Sequence, residues 1–465
     1  MISPAKLKPT DLGPELERLW AASAGKIRSI ERTCPPGSNA PVFTVKGRYT
    51  ARGWTEWTQG FQYGAALLQF DATGDEEFLE LGRLRTVERM ASHLTHTGVH
   101  DHGFNNVSTY GNLLRLADAG RIAASDWERE YYTLALKVSG AVQAMRWTAL
   151  GPDQGYIYSF NGPHSLFADT IRSLRALAWS HQLGHTLMGE NDRRIPLLER
   201  WHGHIASTLK FNVYYGKGRD TYDLPGRVAH ESIFNLNDGA YRCPSSQQGF
   251  SPFTTWTRGL AWVLLGCAEQ LEFNAALPAA DLKPFGGRRA VMQLLLKGAC
   301  ATANFYLEQT PTDGIPYWDT GAPGLARLGD YLDRPADPFN PEEPVDSSAA
   351  AISAQGLLRL GRFLINNAGQ DRAAARLGRK YLQAGLTTFK TLCSPTYLST
   401  SPRHQGLLLH GVYHRPNGWD YVPPRRKVPC GEACMWGDYH LRELALWVQR
   451  AAEQGPYYTF FGDQS

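Results

Sequence analysis

Apolar residues recur along this chain mostly at intervals of three and four, the period of a helix with one buried face. Phe78, Leu81, Leu84, Val87, Met90 and Leu94 trace one such face, and Ile171, Leu174, Ala178 and His181 another. Leu441, Leu444, Ala445 and Val448 trace a third near the end of the chain. Alternating strand patterns are scarce. A short polar motif recurs between apolar stretches: Thr73-Gly74-Asp75-Glu76, Met188-Gly189-Glu190-Asn191 and Ala368-Gly369-Gln370-Asp371. Each Gly suits a helix C-cap, and the polar residues after it suit an N-cap. The repeat predicts helical hairpins packed side by side, closing into a barrel or extending as a solenoid. Long connections over 214–254, 321–345 and 416–429 favour an all-α barrel of hairpins with its long loops at one mouth. These loops are rich in aromatic residues. That suits a sugar cleft, because sugar C–H faces stack on rings, and it equally suits packing beneath loops.

Composition removes several function classes. The formal net charge of the 465 residues is +4, which argues against a dedicated nucleic-acid surface. Seven cysteines, an odd number, do not form a disulfide framework. Cys430 and Cys434 have no second close pair with which to hold zinc. The N-terminus lacks an apolar signal core, and no stretch is apolar enough to span a bilayer. The expectation is a cytoplasmic protein without membrane, metal or cofactor, either monomeric or homodimeric. No linker composition appears, so residues 1–465 are expected to form one domain, with 1–45 as an N-terminal helix and lead-in.

Five clusters carry candidate chemistry. His100-Asp101-His102-Gly103-Phe104 follows a helix containing His93 and His96. Were that helix to continue, His93, His96 and His100 would share a face, although no carboxylate stands where a zinc site needs one. The alternatives are polar capping, or Asp101 in a cleft with His100 beside it. Asp169 opens an apolar helix, where it is either a dipole-stabilising residue or a cleft acid. Trp256 and Trp262 flank Arg258, an arrangement that suits a planar carboxylate or a sugar ring and equally suits a core. Asp346-Ser347-Ser348 and Trp436-Gly437-Asp438 look like helix starts that shape the cleft.

In order along nearly the whole chain, these clusters resemble glycoside hydrolase family 88, the unsaturated glucuronyl hydrolases. The resemblance rests on Trp57-Thr58-Gln59-Gly60-Phe61, His100-Asp101-x-Gly103-Phe104 and Asp169, followed by His230 and Gln248-Gly249-Phe250. Trp256-x-Arg258-Gly259-x-Ala261-Trp262, Pro316-Tyr317-Trp318-Asp319, Asp346-Ser347-Ser348, Leu409-His410-Gly411-Val412-Tyr413 and Trp436-Gly437-Asp438-Tyr439 complete it. Phe160-Asn161 stands where the family often has Trp-Asp, Asp169-Thr170 where it has Asp-Asn, and Ser251-Pro252-Phe253-Thr254 where it has an acidic pair. The resemblance implies an (α/α)6 barrel that hydrates the double bond of a 4,5-unsaturated uronate at the non-reducing end of an oligosaccharide. It implies Asp169 as acid/base, with Asp101 holding hydroxyls and tuning it. His100, His230, Gln248 and Arg258 would contact the substrate, and Trp57, Trp256 and Trp262 would stack on it. Two neighbouring carboxyls disfavour double ionisation, so one pKa is expected to rise. The alternatives are a related barrel acting on unsaturated galacturonyl-rhamnose or on a saturated uronide, and a non-catalytic glycan-binding protein.

Overall fold

The computed structural model describes residues 1–34, 37, 39–52, 56–151 and 154–461. Its α-helices among these residues are α1 (Gly13–Thr33), α2 (Gln59–Thr73), α3 (Glu76–Arg89), α4 (Ala91–Leu94), α5 (His102–Asn106), α6 (Asn112–Asp118), α7 (Asp126–Met145), α8 (Thr170–Ser173), α9 (Arg175–Gln182), α10 (Leu197–Phe211), α11 (Thr257–Ala276), α12 (Gly287–Glu308), α13 (Ser347–Asn367), α14 (Arg372–Leu392) and α15 (Met435–Ala452). A π-helical turn, Val107–Gly111, splices α5 to α6.

An inner ring closes on itself. Helix α2 packs on α5, α5 on α8, α8 on α11, α11 on α13, α13 on α15 and α15 back on α2. Helices α2, α11, α13 and α15 are enclosed on nearly every face, which explains their near-continuous apolar and small-residue sequences. The outer ring is α1 against α2 and α15, α3 against α2, α7 and α10 against α9, α12 against α11, and α14 against α13. The architecture is the expected (α/α)6 barrel. No helix among the described residues is long and apolar enough to cross a membrane. Short sheets sit in the connections. One joins Ser165–Phe167, Glu231–Phe234 and Tyr241–Ser245.

Two expectations from the pattern need correction. Leu84 and Val87, placed on the buried face of α3, are exposed; the buried residues are Phe78, Leu79, Gly82 and Thr86. The reason lies at Gly82, where an added Cβ would stand 2.5 Å from Leu67, so α3 approaches α2 along its smallest residue. The hairpin motif holds at Gly74, which caps α2 in the left-handed region before Asp75 accepts from Glu77 N–H. It holds again where Asp371 caps α14. It fails at Met188–Asn191. Helix α9 has already ended at Gln182, Gly184 takes the left-handed turn (φ +75°), and Leu187–Met188 pair with Arg194–Ile195 as a small β-hairpin.

Candidate active site

The starts of the inner helices meet at one end of the barrel around a cleft of about 160 Å³. Trp57 precedes α2, Asp101 precedes α5, Asp169 precedes α8, and Trp256 and Arg258 open α11; all of them line the cleft. Helix N-termini carry partial positive charge, so this end of the ring favours an anion.

Local contacts explain why Asp101 and Asp169 meet. Gly103 N–H donates to Ser173 Oγ at 2.9 Å, and Ser173 Oγ donates to the His100 carbonyl at 2.6 Å. Gln143 Nε2 donates to the same carbonyl at 2.7 Å. A Cβ on Gly103 would lie 2.0 Å from the Ser173 carbonyl oxygen, so only glycine permits α5 to touch α8 here. We predict that Gly103→Ala lowers stability by about 1–3 kcal/mol, the usual cost of overpacking. Urea unfolding checks this, and an unchanged midpoint would refute the packing argument.

Asp169 follows the strand Ser165–Phe167, which pairs with Glu231–Phe234. Ala168 N–H donates to the His230 carbonyl at 2.8 Å. Buried Asn212 Nδ2 donates to the carbonyls of Leu166 and Ala229, tying together the two segments that carry Asp169 and His230.

The His100 imidazole stands between the two acids. Its Nε2 is 3.5 Å from Asp169 Oδ1 and 3.8 Å from Asp101 Oδ1. Each aspartate is only 8% exposed. Burial pushes the Asp101 carboxyl up, and the Asp169 charge adds to this against the opposing pull of His100. Burial also pushes Asp169 up, but the hydrogen-bonding and charge of His100, with His230, outweigh it and hold Asp169 below the usual value. Burial disfavours the His100 cation, yet Asp101 and Asp169 outweigh it and raise its pKa. The expected rise therefore falls on Asp101.

His230 accepts N–H hydrogen bonds from Gln247 (3.0 Å) and Gln248 (3.3 Å) at Nδ1, which places its proton on Nε2 when the ring is neutral. Burial lowers its pKa to about 4, and its buried Nε2 has no hydrogen-bond partner among the described residues.

Arg258 is committed to the site walls. It donates to the carbonyls of Val412 and Tyr413 and, at 2.8 Å, to Gln248 Oε1. The guanidinium does lie between two indoles, but they are Trp256 and Trp436, each 4.6 Å away. Trp262 was expected in that sandwich. It forms the cleft floor instead, against Phe104 and the His440 ring. Trp436 completes the sandwich from the start of α15, one helix further round the ring from α13, and it also stacks on Trp57 at 5.0 Å. Asp346 caps α13 and lies 3.6 Å from Arg258, while Asp438 accepts from the Leu407 and Leu408 N–H groups, so both shape the cleft from beneath.

The three histidines of the metal reading do not share a helical face. Helix α4 spans only Ala91–Leu94, and His93 is occupied by Gln59 and Asn105 at 2.8 and 3.1 Å. Phe160 and Tyr413, which belong to the motifs compared with the family, line the cleft, and sequence reasoning missed Phe167, His414 and Trp419 beside them. Only Trp419 lies in one of the long aromatic-rich loops, and aromatic density does not say which rings turn inward.

No family model matches the chain. An unsaturated glucuronyl hydrolase of Bacillus sp. (strain GL1) is 26% identical over 87% of this chain and 89% of its own length. An unsaturated chondroitin disaccharide hydrolase of Streptococcus pyogenes serotype M1 is 23% identical over 87% of this chain and 84% of its own. This chain is homologous to the unsaturated glucuronyl hydrolases. The crystal structure of the unsaturated glucuronyl hydrolase from Bacillus sp. GL1 superposes with a TM-score of 0.69 at 22% identity, covering 94% of this chain and 97% of that one. The fold is therefore that of the unsaturated glucuronyl hydrolases, and the cleft lies where the six inner helices begin.

Proposed function

We propose that this chain is an unsaturated uronyl hydrolase, a glycoside hydrolase that removes a 4,5-unsaturated uronate from the non-reducing end of an oligosaccharide. The observation that carries the reading is Asp101 and Asp169 flanking one buried imidazole inside an aromatic cleft. The homology to hydrolases of this kind supports it.

Asp169 is the acid/base in this reading. In the free site the shared proton rests on His100, because the pKa of His100 is raised and that of Asp169 is lowered. A bound uronate brings another negative charge and excludes water, and both raise the Asp169 carboxyl. The proton then passes from His100 to Asp169 Oδ1 and on to C4 of the double bond. Asp169, again a carboxylate, takes a proton from the water that adds at C5. Addition leaves a hemiketal at C5. Its opening gives a ketone at C5 and a hemiacetal at C1, which expels the leaving sugar as an alcohol. Asp101 orients the substrate hydroxyls. His230 Nε2–H and the Gln248 amide are placed to donate to substrate or water, and Trp57 and Trp256 to flank the sugar ring. Arg258 acts by its charge and by fixing Gln248.

A panel of disaccharides made by polysaccharide lyases tests the reading. Loss of the double-bond ultraviolet absorbance, with release of the leaving sugar, is expected for at least one member. Retention of the absorbance across glucuronyl and galacturonyl substrates would reject it. The absence of disulfides among seven cysteines supports placing the reaction in the cytoplasm.

A pH prediction follows. Because the pKa of His100 is raised, its proton persists above the ordinary imidazole value of about 6.5 and is lost only at higher pH. The alkaline limb of kcat/KM is expected above that value. In His100→Asn, Asp169 must hold the proton alone, so the limb moves to lower pH. A pH–rate profile of the two proteins decides, and an unmoved limb excludes the relay.

A further inference from the structure

The loop 249–255 is bracketed by two cleft-lining residues, Gln248 and Trp256. It carries two aromatic rings turned to solvent, Phe250 (49% exposed) and Phe253 (42%). A third, Tyr222 (55% exposed), comes from earlier in the same 214–254 connection and meets Phe253 with ring centroids 5.4 Å apart at 40°. Scattered exposed apolar residues need no explanation, but a contiguous rigid group beside a cleft does.

This group is held rigidly. Phe250 N–H donates to Asp319 Oδ2 at 2.9 Å, and the other carboxylate oxygen accepts from Gly321 N–H. Phe253 N–H donates to Ser251 Oγ, and Arg227 donates to the Pro252 carbonyl. The Tyr222 loop is fastened by the Arg227–Asp220 ion pair at 2.5 Å. The Asp223 carboxylate adds four backbone N–H bonds, from Tyr215, Gly216, Lys217 and Arg219. The backbone that carries the rings is thus held in place, which lowers the cost of ordering them on a ligand.

We infer that Tyr222 and Phe253 form an outer subsite that stacks on sugar units beyond the leaving sugar, making oligosaccharides longer than a disaccharide the preferred substrates. The inference rests on the uronyl hydrolase reading. In that reading the unsaturated terminus points into the barrel, whose floor is closed by buried Trp262 and His440. The rest of the chain must leave through the mouth, the end of the barrel at which this loop leads into α11. The rings offer apolar faces to sugar C–H groups and need no charge on the ligand.

The test compares an unsaturated disaccharide with the unsaturated tetrasaccharide from the same lyase digest. Wild-type protein should show a KM for the tetrasaccharide about 3- to 10-fold below that for the disaccharide, the scale of one or two ring contacts. The double variant Tyr222→Ala/Phe253→Ala should erase that difference while leaving disaccharide kcat and KM within about twofold. Tyr222→Phe/Phe253→Tyr, which keeps both rings, should retain it. Equal KM values in the wild type, or a tetrasaccharide preference that survives loss of the rings, would overturn the inference. So would sedimentation showing that the alanine variant only breaks a dimer. A wild-type protein that cleaves neither substrate would defeat the activity reading. The subsite would then be judged by calorimetric binding of the tetrasaccharide to both proteins, with equal affinities counting against it.

Discussion

Asp169→Asn is expected to lower kcat by about 10²–10⁴-fold, the range that a positioned acid/base contributes. Asparagine keeps the shape of the side chain but cannot deliver or accept the proton. The fold should survive, because the strand pairing of Ser165–Phe167 and the Ala168–His230 hydrogen bond run through the backbone. Asp169 Oδ1 faces His100 Nε2 at 3.5 Å, and the amide oxygen of an asparagine in its place can keep that contact. Substrate binding should persist, because His230, Gln248, Trp57 and Trp256 are untouched. The measurements are decay of the double-bond absorbance and titration of the variant with the same disaccharide. Turnover within tenfold of wild type would remove Asp169 from the acid/base role. Loss of binding together with turnover would move it to a binding role.

The fold and the centre of the site were legible in the sequence to different depths. Helix content and hairpin connections showed in the spacing of apolar residues, and the order of short motifs from Trp57 to Tyr439 pointed to the barrel. Burial at single positions did not. Leu84 and Val87 sit on a helical apolar period yet face solvent, because α3 meets α2 through Gly82 and apolar periodicity cannot see a glycine contact. The acids themselves were legible as Asp at helix starts. Their partnership was not, since it depends on Gly103 letting α5 touch α8. The Arg258 sandwich was half right. One indole, Trp256, is a neighbour in sequence, whereas Trp436 arrives only through closure of the inner ring. A ring from a distant loop, such as Trp419, was visible as composition but not as position.

Charges sealed along the barrel axis lead to the largest stability effect. Glu269, Glu272, Arg172, Arg359 and Glu443 interrupt otherwise apolar inner helices, Arg175 joins them from the start of α9, and all are buried. Arg172 reaches Glu269 at 2.8 Å and Glu443 at 2.9 Å. Arg359 Nη1 donates to both oxygens of Glu272, at 2.9 and 2.8 Å, and Glu272 also accepts from Tyr457 and Thr459 of the C-terminal segment. Burial raises Glu269 to about 8 even with guanidinium groups around it, so this interior does not tolerate an unpaired carboxylate. Arg359→Met should therefore cost about 3–5 kcal/mol, because it removes the guanidinium that bonds both oxygens of the buried Glu272 carboxylate. Adding Glu272→Gln should restore part of that loss, since the buried negative charge is gone. Urea unfolding of the wild type, the single and the double variant measures both effects. A single-variant loss below about 1 kcal/mol, within the range of exposed ion pairs, would mean that water reaches this axis. The Tyr457–Thr459 segment would then be a loose cover instead of a plug, and it should be cut by protease in the wild-type protein.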